Sequence, residues 1–365
     1  MIPARPPLRG FLAGLSPLVV VVTLTLGGAG GLAARALGLP LPMLLGGMVS
    51  VVVASALGLT IGGQPLAIPQ KWRFGLVPVI GVAIGGNVTA DFFDQAVHWW
   101  QTVLALLLFV PLAHALGYQL FRRLGRLSPV TAYYAAMPGG FIESLDMGER
   151  AGADLPMLIM LQFLRLILCI VLIPVGFSIF EGHAVGSAAG VSLGGAHVPL
   201  SPENVAAMLA IGLGGWFVAS RLRFPAAVLS GPLLFSGIAH GMGWLQAMPP
   251  GWAVLVTQWV MGTSLGCRLL GFNTRHMGKA LVLSAINVGT ILLIAFVIAL
   301  VLAARVDEPM SAVILAFAPG GVSEMSLVAL SLHVSAVFVS LHHMVRIVLA
   351  VVVARSGQRF LARAD

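Results

Sequence analysis

The sequence PGGVSE at residues 319–324 interrupts an apolar stretch, residues 311–330, that would otherwise be typical of an unbroken membrane helix. Proline removes a backbone hydrogen-bond donor and glycine adds conformational freedom, so a helix is expected to break here. Glu324 follows the second glycine by three positions. Ionisable groups within hydrophobic segments are rare and usually functional, so this stretch is the first candidate for a site.

The same pattern occurs once more, as PGGFIE at residues 138–143, 181 positions earlier. The same offset relates Arg165 to Arg346 and Gln162 to His343. From residue 138 to 172 the two copies align without a gap, but their few identities are concentrated on the proline, both glycines, the glutamate and the arginine. This pattern predicts an old internal duplication that has kept its site.

The composition predicts an all-α polytopic membrane protein. Of 365 residues, 59% are hydrophobic and 9% are charged, whereas soluble domains carry about 25% charged residues. About 10–12 hydrophobic segments can be assigned along the chain. They divide into a first transmembrane repeat (1–180), a linker rich in small residues (181–201) and a second transmembrane repeat (202–365).

The basic residues indicate how these segments cross the bilayer, because Lys and Arg concentrate in cytoplasmic loops. If all twelve segments cross, 11 basic loop residues lie inside and 7 outside. If the two Pro-Gly-Gly segments enter and leave on the same side, 16 lie inside and only Arg35 and Arg305 lie outside. The second arrangement gives five net crossings per repeat, so we expect inverted repeats, each with a broken or re-entrant helix, and cytoplasmic termini.

The candidate substrate- or ion-binding residues are those at the two breaks and the polar residues that follow them. Each arginine comes 22 positions after its glutamate, so we expect Glu143 to pair with Arg165 and Glu324 with Arg346, or the pairs to form across the repeats. Such pairs either clamp a broken helix or have a function, in which the arginines and half-helix N-termini receive an anion or the glutamates titrate with a coupling proton. The predicted site is Pro138, Gly139, Gly140, Glu143, Gln162, Arg165, Pro319, Gly320, Gly321, Glu324, His343 and Arg346.

Several other classes of function are not supported by the sequence. The net charge of +8 comes from small, scattered groups of basic residues, so no nucleic-acid partner is expected. The nine histidines are dispersed, and no metal or other cofactor is predicted. The sequence contains no P-loop and no dinucleotide-binding fingerprint, and a serine triad is not evident, so we do not expect an enzyme.

The doubled pattern resembles the membrane AbrB family. Pro40 and Pro225 each precede a Gly-[Gly/Pro] pair, and each copy continues with Pro-Gly-Gly-x-x-Glu and [Gln/His]-x-x-Arg. Members of that family are commonly called ammonia monooxygenases or regulators of gene expression. The family is similar in turn to the cation–proton antiporter and anion transporter superfamily, which implies inverted repeats with crossed, broken helices.

We therefore expect an inner-membrane secondary transporter of a small, anionic solute, coupled to protons. Its partners would be the lipid bilayer, the solute and protons, and the sequence is compatible with a homo-oligomer. One alternative is a membrane sensor that affects gene expression indirectly. A second alternative is a subunit of a membrane oxidoreductase, although the residues offer no cluster of metal ligands.

Overall fold

The computed structural model describes residues 14–88, 96–181, 201–268 and 274–361. Within these ranges the chain is almost entirely helical, which confirms the predicted all-α class. A two-residue antiparallel ladder pairs Thr60–Ile61 (β1) with Gln64–Pro65 (β2). The predicted linker falls mostly on residues 182–200, outside the described part. The helices are α1 (Pro17–Ala36), α2 (Pro42–Ala56), α3 (Gln70–Gly85), α4 (Trp100–Arg123), α5 (Pro129–Ala135), α6 (Phe141–Arg150), α7 (Leu155–Glu181), α8 (Pro202–Arg221), α9 (Ala227–Gly241), α10 (Gly251–Arg268), α11 (Thr274–Leu302), α12 (Met310–Phe317), α13 (Val322–Ser331) and α14 (Ala336–Leu361).

Six of the described helical segments are long and apolar enough to cross a bilayer. They contain α1, α4, α7, α8, α11 and α14, and three shorter apolar helices, α2, α9 and α13, lie between them. A helix needs about 20 apolar residues to span the hydrocarbon core. The chain is therefore a multi-pass membrane protein.

The helix boundaries repeat with the offset found in the sequence. Helices α5, α6 and α7 begin at residues 129, 141 and 155, and α12, α13 and α14 begin 181 positions later, at residues 310, 322 and 336. Sequence identity between the copies is low, so the shared boundaries arise mainly from the conserved break and the apolar segments on either side of it. The opposite orientation of the two repeats in the membrane stays a prediction.

The two repeats do not form separate bodies, a feature that the sequence did not indicate. Helices α1–α3 pack with α8–α10, and α4–α7 pack with α11–α14. Each repeat thus contributes its first three helices to one bundle and its remaining four to the other. We call the first group the glycine bundle and the second the break bundle. They meet mainly where α3 packs against α13 and α14.

Close helix contacts in the glycine bundle depend on glycines at equivalent positions. A β-carbon on Gly81 or Gly85 of α3 would collide with backbone atoms of α9, and one on Gly262 or Gly266 of α10 would collide with backbone atoms of α2. Small residues allow membrane helices to approach this closely. These glycines therefore serve packing.

The first broken segment doubles back on itself. Ser128 caps α5 by accepting a hydrogen bond from the Thr131 backbone N–H at 3.2 Å. The backbone N–H of Asp154, beyond the end of α6, donates to Thr131 Oγ1 at 2.8 Å, and a β-carbon on Gly148 would lie 3.4 Å from Tyr134 Cβ. Both ends of the segment therefore lie together, so α5 and α6 form a helical hairpin. Helices α12 and α13 likewise pack on each other and on α14.

Candidate functional site: the cavity between the two helix breaks

The two glutamates lie in the first turn of the second half-helix of each hairpin. Gly140 adopts a left-handed conformation (φ +69°) at the N-cap of α6, and Glu143 follows in its first turn. Gly321 is extended at the N-cap of α13, and Glu324 follows in the same way. A carboxylate is stabilised there by the N-terminal end of the helix dipole. This placement agrees with the sequence prediction.

In the first repeat, Gln162 and Arg165 bind the backbone carbonyls exposed by the break. Gln162 Nε2 donates to the carbonyl oxygen of Tyr134 at 2.8 Å, and the Arg165 guanidinium donates to that of Met137. The last carbonyls of a helix lack intrahelical partners, and leaving one buried and unpaired costs about 1–3 kcal/mol. The two side chains of α7 therefore stabilise the end of α5.

The second repeat reproduces the arrangement with different residues. His343 Nε2 lies 2.9 Å from the carbonyl oxygen of Leu315, and Arg346 donates to Ala318 and, at 2.9 Å, to Gly320. Leu315 and Ala318 are the positions equivalent to Tyr134 and Met137. The [Gln/His]-x-x-Arg motif is therefore a side-chain cap for the first half-helix of each hairpin.

His343 uses both ring nitrogens in this cap. Because Nε2 faces a carbonyl oxygen, it must donate, and Nδ1 accepts from Arg346 Nη2 at 3.0 Å. A second proton, on Nδ1, would face a guanidinium. His343 is also fully buried. The geometry thus favours the neutral imidazole and gives His343 the role of a helix cap.

The two breaks meet at one cavity. A β-carbon on Gly139 would lie 3.6 Å from Arg346 Nε, so the first break contacts the arginine of the second repeat. A cavity of about 360 Å³ opens there, between the glycine bundle and the break bundle. Cavities of roughly this size bind small molecules in many proteins. Its polar lining includes Arg73, Glu143, Arg165, Arg268, Ser323, Glu324 and Arg346.

The predicted pairs of glutamate and arginine do not form. Glu324 pairs with Arg73 of α3, with 2.7 Å between Oε1 and Nη2. Arg165 and Arg346 bind carbonyls instead, and the described residues include no ion pair of Glu143. The reason is that the break leaves carbonyl groups directly in front of the arginines. The ion pair that does form joins the glycine bundle to the break bundle.

Arg73 and Arg268 are the charged cavity residues that the sequence analysis did not assign to the site. Arg73 belongs to the first turn of α3, and its side chain reaches the second break. Arg268 ends α10, where Nη2 donates to Gln70 Oε1 at 2.5 Å. The only sequence signal for these two arginines is that each lies near one end of an apolar segment that contains glycines. The preference of basic residues for cytoplasmic loops alone would also explain that position.

Eight of the twelve predicted site residues line the cavity, and four lie behind it. Pro138 and Pro319 are buried within the breaks, and Gln162 and His343 are buried at the caps. Asp146, one helical turn after Glu143, pairs with Arg150 on an exposed face instead. The lining residues among the twelve are Gly139, Gly140, Glu143, Arg165, Gly320, Gly321, Glu324 and Arg346.

The charges of the cavity are unequal. Four arginines face two glutamates, an excess of two positive charges. The Nε atoms of Arg165, Arg268 and Arg346 are buried and have no hydrogen-bond partner within the described ranges. Buried charges are costly unless they are paired, so this cavity is suited to an anion.

The fold and the site together define the class of this chain: it is a helical membrane protein in which two equivalent broken hairpins surround a charged cavity. Comparison with protein families specifies it further. The family described as "Transition state regulatory protein AbrB" matches residues 50–362. The match covers most of the chain, including both breaks and all the cavity arginines, so the chain belongs to the AbrB family.

Two relatives show how far this similarity extends. The chain is 22% identical to "Uncharacterized protein YhjN" of Bacillus subtilis (strain 168) over 311 residues, which cover 80% of this chain and 79% of the relative. It is 24% identical to "Putative regulator AbrB" of Escherichia coli (strain K12) over 245 residues, 67% of each chain.

Proposed function

We propose that the protein is a secondary transporter that carries a small anion across the inner membrane, coupled to protons. The observation that carries this proposal is the cavity between the two breaks, where four arginines face two glutamates. Interrupted helices in equivalent repeat positions are the recurrent site architecture of secondary transporters. The cavity also lies between two bundles that share few contacts, as a site exposed alternately to each side requires.

The test measures ligand binding first and transport second, both with the full chain. Protein purified in detergent is screened by thermal shift against small anions, cations and neutral solutes, and hits are tested for uptake into proteoliposomes. We expect anions to raise the melting temperature and to be taken up faster when a pH gradient is imposed. Arg268→Gln removes a cavity charge and should weaken binding, whereas exposed Arg355→Gln on α14 is the matched control.

A second candidate function is a sensor that binds the anion without moving it. The name of the Escherichia coli relative, "Putative regulator AbrB", favours a link to regulation. Both functions require anion binding in the cavity, but only the transporter gives flux. Binding without uptake at any pH gradient would therefore reject transport and favour the sensor. Uptake of cations in place of anions would reject the proposed substrate class.

A further inference from the structure

The ion pair of Arg73 with Glu324 differs from a structural salt bridge in its position. It crosses between the two bundles, and both side chains face the cavity, with relative exposures of 16% and 5%. The other ion pair within the described ranges, Arg150 with Asp146, lies one turn apart on an exposed helix surface. The pair at the break therefore places a carboxylate belonging to the protein in the cavity where an anion would bind.

The pair also breaks the symmetry of the site. The position equivalent to Arg73 in the second repeat is Val254, and the position equivalent to Arg268 in the first is Asn87. Asn87 donates to Ala83 of its own helix. Both extra arginines thus lie near Glu324, and Glu143 has no matching pair. The cavity therefore contains one position that binds a carboxylate, and this position lies on the side of the second break.

The rest of the lining suits an organic anion. Phe74 and Val77 of α3, Phe141 of α6, Phe163 of α7 and Leu265 of α10 line the cavity beside the charged groups. A carboxylate binds a guanidinium at short range, as Glu324 binds Arg73. The apolar part of an organic anion would then contact these side chains. Sulfate or phosphate would leave the apolar part of the cavity unused.

We infer, on the basis of the proposed transport function, that the substrate is a small organic carboxylate and that Glu324 competes with it for Arg73. When the substrate carboxylate binds Arg73, it replaces Glu324 on that guanidinium, and Glu324 stays in the cavity beside the remaining arginines. Four arginines then face three carboxylates, so the bound anion lowers the excess positive charge of the cavity from two to one. The exchange therefore leaves no carboxylate uncompensated in a poorly solvated site.

The groups around Glu324 are consistent with this exchange. Arg73 faces it from α3, and Arg268, Arg346 and Arg165 contribute to the same cavity from α10, α14 and α7. The other carboxylate in the cavity is Glu143. On its own helix, Ser323 donates to Glu324 Oε2 at 3.2 Å. When Glu324 is displaced from Arg73, these other arginines compensate its charge, so the substrate carboxylate and Glu324 can occupy the cavity together.

The test is isothermal titration calorimetry of the detergent-purified full chain at pH 7. The probes are acetate, butyrate, lactate and benzoate, with sulfate and phosphate as inorganic anions. We expect a carboxylate to bind the wild-type protein. Glu324→Gln should bind the same carboxylate about tenfold more tightly, because the competitor is gone. Asp146→Asn, which removes an exposed ion pair outside the cavity, should bind it with the affinity of the wild type.

The outcomes separate this inference from the proposed function. If Glu324→Gln binds a carboxylate with the affinity of the wild type, the inference is wrong and anion transport is unaffected. If the variant binds sulfate or phosphate more tightly but no carboxylate, the substrate class is wrong. If the variant binds carboxylates as expected but proteoliposomes of the wild type show no flux, transport is rejected and the competition stands. No binding by either protein overturns both.

Discussion

Arg346 Nη2 lies 2.9 Å from the carbonyl oxygen of Gly320, so the arginine that was expected to pair with a glutamate caps the end of a half-helix instead. Arg346 also donates to the carbonyl of Ala318, and Arg165 forms the equivalent contact with Met137 in the first repeat. Each arginine therefore has two roles that follow from its position: it satisfies the carbonyls of the break and it brings positive charge to the cavity. The position of the break and the charge of the site are thus physically linked.

Arg346→Lys should reduce stability while keeping the charge. Lysine has a single ammonium group and cannot reach Ala318 and Gly320 together, so at least one buried carbonyl loses its partner. We expect the free energy of unfolding to fall by about 2 kcal/mol, measured as a lower melting temperature in detergent. Arg355→Lys, on an exposed face of the same helix, should change it by less than about 0.5 kcal/mol. Equal stability of the two variants would contradict the capping role.

Exchanging the capping residue between repeats should be tolerated better than removing it. Gln162→His introduces the residue that the second repeat uses, and its ring can donate to Tyr134 as His343 does to Leu315. Gln162→Leu removes this donor, so the Tyr134 carbonyl keeps the longer bond from the Met137 backbone N–H at 3.4 Å, and the loss should cost about 1 kcal/mol. The measurement is the melting temperature of each variant. Equal losses of stability in the two variants would contradict the equivalence of the two caps.

The local features of the site could be predicted from the sequence because they depend on nearby residues. Proline and glycine determine where each helix breaks, and an acidic residue three positions later falls in the first turn of the next half-helix. Helical spacing of three residues likewise places Gln162 with Arg165, and His343 with Arg346, on one face. The structure confirms these placements.

The long-range features could not be predicted because they depend on which helices meet. A backbone carbonyl has no sequence signature, so nothing in the chain identified Met137 and Ala318 as the partners of the arginines. Arg73 is 251 positions from Glu324, and its approach depends on the packing of α3 against α13. The interleaving of the repeats into two bundles is a property of the whole fold.

Gly85→Leu should disrupt the glycine bundle. Its side chain would collide with Leu233 and Ser236 of α9, because even a β-carbon lies too close to the α9 backbone. Overpacking of this kind costs about 1–3 kcal/mol or more. Gly289→Leu on α11 is the control, because Gly289 is exposed and its β-carbon would meet nothing within 4 Å. Size-exclusion profiles and melting temperatures of the two variants in detergent check the prediction, and a well-folded Gly85→Leu protein would contradict it.

Glu308, in the connection between α11 and α12, should make stability depend on pH. Burial and the neighbouring Asp307 carboxylate raise the pKa of Glu308 from 4.5 to about 7, although a hydrogen bond with Trp99 opposes the shift. Because the folded state holds the proton more tightly than the unfolded state, this contribution is fully present below pH 4.5 and is lost as the pH rises through 7. Glu308 is partly exposed, so we expect a loss of only about 1 kcal/mol, measured by melting temperatures between pH 5 and pH 8.5. Glu308→Gln should flatten that part of the profile, whereas Glu203→Gln, at an exposed position on α8, should leave it unchanged; identical profiles for the wild type and Glu308→Gln would contradict the assignment.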